Sequence, residues 1–471
     1  MKREDAEKIY DLGKEAVVDL ILQLVERIER LEEQLYKNSN NSSKPPSSDG
    51  LKRKPRTRSQ RKRTGKKTGG QKGHKGKTLK QVSSPDEIVP LLVERCSCCG
   101  EPLDHHVFKG HDKRQVFEIP KISIHVTEYQ AEIKDCPHCG KENKADFPEG
   151  VTHKVQYGNY LKSIASYLRN YQLIPLERTK EIFEDIFSIP LSEGTLVNIT
   201  NKCSESLNEF NRWVINKLAH SRVVNFDETG VNCGGTLHWL HTAGTELLTS
   251  YFVHKKRGSK ACDAMGILKE FKGTAVHDHW QSYFKYSCDH SLCNAHHIRE
   301  LTFVHEHHKQ KWAQKMITCL CELKCEVENA GTKGNLIEPY RMKYYESRYK
   351  RILREGFALN PPPEAENVKK RGRKKKGKVL CLLERLRVYR KETLAFMFNC
   401  DVPFDNNLAE RDIRMVKVQQ KVSGLFRTFS GAEQFCSIRS FISTVRKQEF
   451  NILDALERIF NGEQVYLKFN C

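Results

Sequence analysis

The chain has 471 residues, more than one ordinary domain holds, and its length suggests about three. It carries 80 Lys and Arg against 59 Asp and Glu, a net charge of +21. No stretch approaches the roughly 20 apolar residues that span a bilayer, and the start, Met1-Lys2-Arg3-Glu4-Asp5, leads into no apolar leader segment. These features exclude a membrane-spanning class and predict a cytoplasmic protein. Seventeen cysteines in such a chain argue for reduced thiols and metal ligation, not for a disulfide framework.

In chain order, residues 12–35 read as an amphipathic helix. Val17, Ile21, Leu24, Ile28, Leu31 and Leu35 recur at spacings of three and four, with Glu26, Arg27, Glu29, Arg30, Glu32 and Glu33 on the flanks. Such a helix either pairs as a short coiled coil or packs on its own protein. It stops at Asn38-Ser-Asn-Asn-Ser-Ser-Lys-Pro-Pro-Ser-Ser-Asp-Gly50, a linker or ordered turn. Residues 52–80 then contain no acid and are about half Lys and Arg, including Arg53, Arg61, Lys62 and Arg63. A second basic block, Lys369-Lys-Arg-Gly-Arg-Lys-Lys-Lys-Gly-Lys378, contains Arg371 and Arg373 and follows Pro361-Pro362-Pro363. One such run is ordinarily a solvated tail. Two of them on a strongly basic chain favour attraction to phosphate backbones.

Residues 86–150 read as a compact β-like module, with Ile119, Ile122, Ile124 and Val126 alternating among polar residues. Within it Cys96-Ser-Cys-Cys99-Gly100 and Cys136-Pro-His-Cys139-Gly140 are CxxC knuckles separated by residues 100–135. Four thiolates so spaced suit a closed tetrahedral Zn²⁺ site with no open position, hence a structural one. From Tyr157 the pattern turns helical, and a helix pair around Ile189-Pro190-Leu191 fits either a helix-turn-helix or an ordinary packed pair.

The periodicity then changes. Arg222-Val-Val-Asn-Phe226 reads as a strand ending in Asp227, segments 237–242 and 248–254 have strand character, and Thr274-Ala-Val276 is a short strand reaching Asp278. Residues 290–400 are largely helical, and Asp405 or Asn406 opens a helix carrying Glu410. Two strand-end aspartates and a helical glutamate can meet at one sheet edge and hold Mg²⁺ or Mn²⁺ through hard oxygen donors. Taken singly, each acid reads more readily as a cap, a salt-bridge partner or a solvated turn residue, and spacing alone does not select the trio.

Specific motifs carry a resemblance along nearly the whole chain. They are the Asn38–Asp49 run, Gly70-Gln-Lys-Gly-His-Lys-Gly76, the two knuckles, Val155-Gln-Tyr-Gly158 and Val224-Asn-Phe-Asp-Glu-Thr229. Further on come Leu292-Cys-Asn-Ala-His-His-Ile-Arg-Glu-Leu301, Arg371-Gly-Arg-Lys-Lys375, Val402-Pro-Phe-Asp-Asn-Asn-Leu-Ala-Glu-Arg-Asp-Ile-Arg414 and Lys417-Val-Gln-Gln-Lys-Val-Ser-Gly424. In this order they resemble the transposases of the insertion-sequence 66 family.

The resemblance implies a multidomain α/β chain with an RNase H-like catalytic domain of the DDE type. Its expected parts are an amphipathic helix (1–37), a linker with the basic segment (38–85), the zinc module (86–150) and a helix-turn-helix-like segment (151–218). The catalytic domain would be split (219–289 and 401–450) by a helical insertion with the basic loop (290–400), before a helical tail (451–471). Asp227, Asp278 and Glu410 would be the catalytic metal ligands, and Cys96, Cys99, Cys136 and Cys139 the zinc ligands. DNA, as transposon ends and target, would be the partner, met by the two basic blocks and by Arg411, Arg414 and Lys417. Joining two ends implies a homo-oligomer, and accessory transposition proteins are further candidate partners. His296 and Arg299 are candidates for the catalytic edge or for structural roles. Two departures stand out: His279-Trp280 follows Asp278 where many members have Gly-Tyr, and Met415 stands where Pro is common. A nuclease that does not join, or a transposase-derived binding protein without catalysis, would share most of these features.

Overall fold

The computed structural model describes residues 3–38, 41–42, 78–332, 335–362 and 377–465. Arg53, Arg61, Lys62, Arg63, Arg371 and Arg373 lie outside them, so their expected DNA contacts have no structural counterpart here. No described helix is long and apolar enough to cross a membrane.

The chain forms two compact units, one of residues 57–127 with 186–188 and one of the rest. In the smaller unit the alternating Ile119, Ile122, Ile124 and Val126 form no strand and are exposed. Within residues 86–150 the β structure formed is Ile133–Asp135 paired with Glu142–Lys144 and an Arg95–Pro102 bridge, since apolar alternation makes a strand only where a second backbone edge accepts its hydrogen bonds. Side chains tie this unit instead, with Gln81 donating to the Lys113 carbonyl and Gln115 bridging both backbone groups of Val82.

The larger unit begins with α1 (Arg3–Asp11) and α2 (Lys14–Tyr36), joined at Gly13. The Asn-rich run then makes an ordered turn, Asn41 donating to the Tyr36 carbonyl and accepting from the Asn38 backbone. A hairpin of β1 (Ile133–Asp135) and β2 (Glu142–Lys144) carries the second knuckle. Next come α3 (Asn159–Ser166), a π-helical turn at Tyr167–Tyr171, α4 (Leu176–Phe187), α5 (Glu193–Ser206) and α6 (Asn208–Ala219). Ser192 caps α5 by accepting from the Thr195 N–H, as its place before an apolar-periodic run requires.

The main sheet comprises β3 (Val223–Cys233), β4 (Thr236–Gly244), β5 (Thr249–His254), β6 (Thr274–His277) and β7 (Asp289–Leu292), in the order β5-β4-β3-β6-β7. β3 pairs antiparallel with β4 and parallel with β6, and β6 pairs parallel with β7. The helix α7 (Ser259–Met265) lies between β5 and β6 in sequence. β7 falls inside the stretch expected to be helical insertion, because Asp-His-Ser-Leu carries no strand signal of its own and is recruited by pairing with β6.

Both sheet faces are covered, as the two apolar parities of β3 require. Val224 and Phe226 join α6, α7 and Phe271 in one core; Val231, Cys233 and Leu240 join Val416, Phe435 and Cys436 in another. After β7 run α8 (Asn294–His307), α9 (Lys311–Gly331), α10 (Pro339–Leu359), α11 (Lys378–Val388) and the short α12 (Arg390–Thr393) and α13 (Ala395–Phe398). Trp312, Met316, Tyr349, Leu383 and Phe396 give this insertion its own core. The chain then returns through α14 (Asn407–Ser423), α15 (Phe429–Lys447) and α16 (Ile452–Phe460). The expected tail is thus a packed helix, with Leu456 and Phe460 buried.

Candidate metal centre at the edge of the parallel sheet

Asp227 lies within β3 and not at its end. Parallel pairing with β6 stops at Asn225 against Val276, while β3 continues beside β4 alone. Asp227 therefore sits just past the parallel part of the sheet, where Asp278 follows the last residue of β6. A strand boundary read from one sequence misses this, because two partners of β3 end at different places.

Three elements hold Glu410 nearby. Asn406, which precedes α14, accepts from the Asn225 amide at 2.8 Å and donates to the Phe226 carbonyl at 2.8 Å. Its own N–H points to the Cys293 sulfur at 3.2 Å, just before α8. All four residues are buried. Glu410, one helical turn on, meets Arg299 at 3.4 Å and His296 Nδ1 at 3.7 Å. Both residues of α8 thus face the acidic edge. Burial and the neighbouring Arg299 and Arg385 lower His296 to about 3, so the imidazole is neutral.

The acids influence one another's charge. Burial, followed by the charges of Asp278 and Glu228, pushes Asp227 well above the ordinary carboxylate range; its bond from the Glu228 N–H partly offsets this, and Glu410 adds further repulsion. Burial and the Glu228 charge raise Asp278 to about 6, against the opposing pull of the Trp280 N–H and Arg257. Asp227 thus feels both other acids. The oxygens of the three are not all within 4.8 Å of one another; among the described residues Glu410 forms such a group with Cys293 and His296. Asp227, Asp278 and Glu410 would hold divalent metal as carboxylates from three separate elements. All-oxygen donors suit Mg²⁺ or Mn²⁺. Cys293 is a poor competitor, since burial and Glu410 push its thiol up to about 12.

Beside this edge lies a constellation that sequence reading missed. Glu228 points to the opposite face from Asp227 and is buried, accepting from Arg257 at 2.9 and 2.8 Å and from the Tyr283 hydroxyl at 2.7 Å. The Arg257 guanidinium stacks between Trp280, at 3.7 Å, and Trp239, at 4.7 Å. Only the adjacency of Asp227 and Glu228 hinted at it; Arg257 and Tyr283 carry no motif signal. His279, the first departure after Asp278, takes a left-handed φ of 78°, a conformation that glycine adopts without cost. Its ring packs on Phe284 and Tyr389. Met415, the second departure, continues α14 and packs on its core.

Of the basic residues after Glu410, Arg411 and Arg414 are exposed. The Lys417 ammonium is taken up by the Gly230 carbonyl at 2.6 Å, so a phosphate would have to displace that bond. Each knuckle is locally formed. The N–H groups of Cys98 and Cys99 are turned on the Cys96 sulfur, those of His138 and Cys139 on the Cys136 sulfur, and both thiols are lowered as a result. Gly100 and Gly140 close the two turns at φ 75° and 68°, donating to the Cys96 and Cys136 carbonyls. Such turns favour the thiolate form that Zn²⁺ binds.

Acidic side chains thus stand at the parallel edge of a two-faced sheet, beside a helical insertion, on a strongly basic chain with two CxxC knuckles. The chain belongs to the IS66 family of transposases, whose model matches residues 154–434. The zinc-finger binding domain of transposase IS66 matches residues 94–140, which include both knuckles, and a family of unknown function (DUF6444) matches residues 7–80. No individual curated protein matched. The chain is an insertion-sequence transposase with a zinc finger.

Proposed function

We propose that this transposase cuts DNA at the ends of its insertion sequence and joins them to target DNA, using divalent metal held by Asp227, Asp278 and Glu410. The observation that carries the reading is geometric: Asp227 follows the end of the parallel pairing of β3 with β6, Asp278 follows the last residue of β6, and the Asn406 bonds to Asn225 and Phe226 hold the start of the Glu410 helix against the same strand. The strand order, with three antiparallel strands followed by two parallel ones, supports an RNase H-like catalytic domain. Mg²⁺ or Mn²⁺ at these oxygens would supply the charge that activates the attacking oxygen and stabilises the leaving one.

In the first step the water oxygen bonds to phosphorus, the bond to the 3′-oxygen breaks, and that oxygen leaves as a 3′-hydroxyl. In the second, the 3′-oxygen bonds to a target phosphorus and a target 3′-hydroxyl leaves, with no covalent link to the enzyme. The chain's own part is positioning. Asn406 fixes α14 against β3, Arg299 orients Glu410, and Arg257 neutralises Glu228 so that its charge does not add fully to the acidic edge. Arg411 and Arg414 lie on the exposed face of the same helix, suited to phosphates of the bound end. On the sequence and the zinc-finger match, Cys96, Cys99, Cys136 and Cys139 are the proposed zinc donors.

The test is cleavage and joining of a DNA carrying the transposon ends, with Mg²⁺ or Mn²⁺. Asp227→Asn should abolish both reactions and leave end binding largely intact. Cleavage by that variant at the wild-type rate would refute the triad, whereas cleavage without joining by the unaltered protein would favour a hydrolytic nuclease.

A further inference from the structure

Cys293, His296 and Glu410 bring a sulfur, a nitrogen and an oxygen within 4.8 Å of one another, beside the acidic edge but with a different donor chemistry. Cys293 immediately precedes α8 and His296 lies in its first turn, so the chain reads Cys-x-x-His where each finger knuckle reads Cys-x-x-Cys. The likeness extends to the backbone. The His296 N–H closes the turn on the Cys293 carbonyl at 3.1 Å and is turned towards the sulfur as well, as the Cys99 N–H is towards Cys96. The Asn406 N–H adds a second donor to the same sulfur at 3.2 Å. N–H groups at a helix N-terminus favour a thiolate. Burial and the Glu410 charge keep the proton on this sulfur in the absence of an ion; a thiophilic ion takes the proton's place and answers the Glu410 charge too.

The nitrogen and the oxygen are nearly in place. His296 Nδ1 is shut off from solvent and makes no hydrogen bond among the described residues. It faces Glu410 Oε1 at 3.7 Å, too far for a hydrogen bond. A tetrahedral Zn²⁺, with bonds of about 2.0–2.2 Å to nitrogen and oxygen, holds two such atoms about 3.4 Å apart. An ion here would therefore satisfy a buried nitrogen with little movement. The two side chains are 21 and 26 % exposed, which leaves a way in from solvent.

We infer that Cys293, His296 and Glu410 form a second site for Zn²⁺ or another thiophilic divalent ion, apart from the finger knuckles, and that filling it draws Glu410 away from Asp227 and Asp278. Thiolate and imidazole select such an ion over Mg²⁺. The thiol proton passes to solvent as the ion binds, and the Arg299 guanidinium, 3.4 Å from the same Glu410 oxygen, gives way to it. Three protein ligands leave a fourth position to water. A chain loaded in this way is held off from cutting DNA until the ion is removed. The competition for Glu410 rests on the reading of that residue as a catalytic ligand; occupation of the site does not.

The test titrates the full chain, with zinc already in its finger and without DNA or Mg²⁺, using Co²⁺ as the probe. A further ion should bind with thiolate-to-cobalt charge-transfer absorption and the strong visible absorption of a four-coordinate ion. Cys293→Ser should remove the charge-transfer band, and His296→Gln should weaken Co²⁺ binding at least about tenfold. A titration unchanged in both variants, or only the weak absorption of a six-coordinate ion, would overturn the site. Zn²⁺ added to cleavage in Mg²⁺ should slow the wild type at least about tenfold more than His296→Gln, each measured against its own rate without Zn²⁺. Equal slowing would overturn the competition for Glu410. The Co²⁺ spectrum should survive Asp227→Asn, so normal cleavage by that variant would sink the triad and leave this site standing.

Discussion

The Asn225 amide donates to the Asn406 side-chain oxygen at 2.8 Å, joining the central strand to the start of the helix that carries Glu410 across 181 residues of sequence. The second amide hydrogen-bonding group of Asn406 is used on the Phe226 carbonyl, next to Asp227. Removing the side chain leaves buried partners unsatisfied. Asn406→Ala should cost about 1–3 kcal/mol of stability and reduce DNA cleavage at least about tenfold by loosening Glu410. Thermal melts and the cleavage assay check the two effects. Wild-type cleavage by a destabilised variant would show that this link serves folding alone.

Asp278 provides a pH signature. Its folded pKa of about 6 exceeds the unfolded 3.8, so the folded chain holds the extra proton between those values. Its contribution favours the folded state below that window and is lost as pH rises through 6. In metal-free protein Asp278→Asn should therefore be stabilising above pH 6, by about 3 kcal/mol, and nearly neutral near pH 4. Melting both proteins with chelator across this range measures the difference. A gap that does not grow with pH would contradict the raised value. Mg²⁺ binding to the wild type should weaken below pH 6, since the ion competes with that proton.

Arg257 should matter more than its partial exposure suggests. Its Glu228 partner has a side chain only 1 % exposed, and Arg257→Met would leave that carboxylate without its cation. The expected loss is about 3 kcal/mol, and Glu228→Gln in the same chain should recover most of it. A double-mutant cycle in denaturant melts tests the coupling. With Glu228 unscreened, Asp278 should also titrate higher, moving the acidic limb of cleavage activity upward.

His279 separates backbone strain from side-chain packing. Its φ of 78° disfavours any residue with a Cβ, most of all a β-branched one. His279→Gly trades relief of strain against lost contacts with Phe284 and Tyr389, and should stay within about 1 kcal/mol of wild type. His279→Val loses the same contacts and adds strain, and should cost at least about 2 kcal/mol. Equal losses in the two variants, read from thermal melts, would show that packing alone sets the residue.

What the sequence determined by itself was the set of local devices. The two CxxC-Gly knuckles, the Ser192 cap, the heptad of α2 and the motif around Glu410 are written in residues a few positions apart, where spacing fixes geometry. The family resemblance then pointed to Asp227 and Asp278, which spacing could not select. Tertiary structure decided everything that depended on a distant partner. β7 exists because β6 offers it an edge, whereas Ile119, Ile122, Ile124 and Val126 have strand alternation and no edge to use. Asp227 lies at the parallel rim because β6 ends before β3 does. The Glu228–Arg257–Tyr283 group forms because a charge excluded from water needs a cation and a donor, and those come from separate parts of the fold. Pairing, burial and charge compensation are relations between segments, and no single segment spells them out.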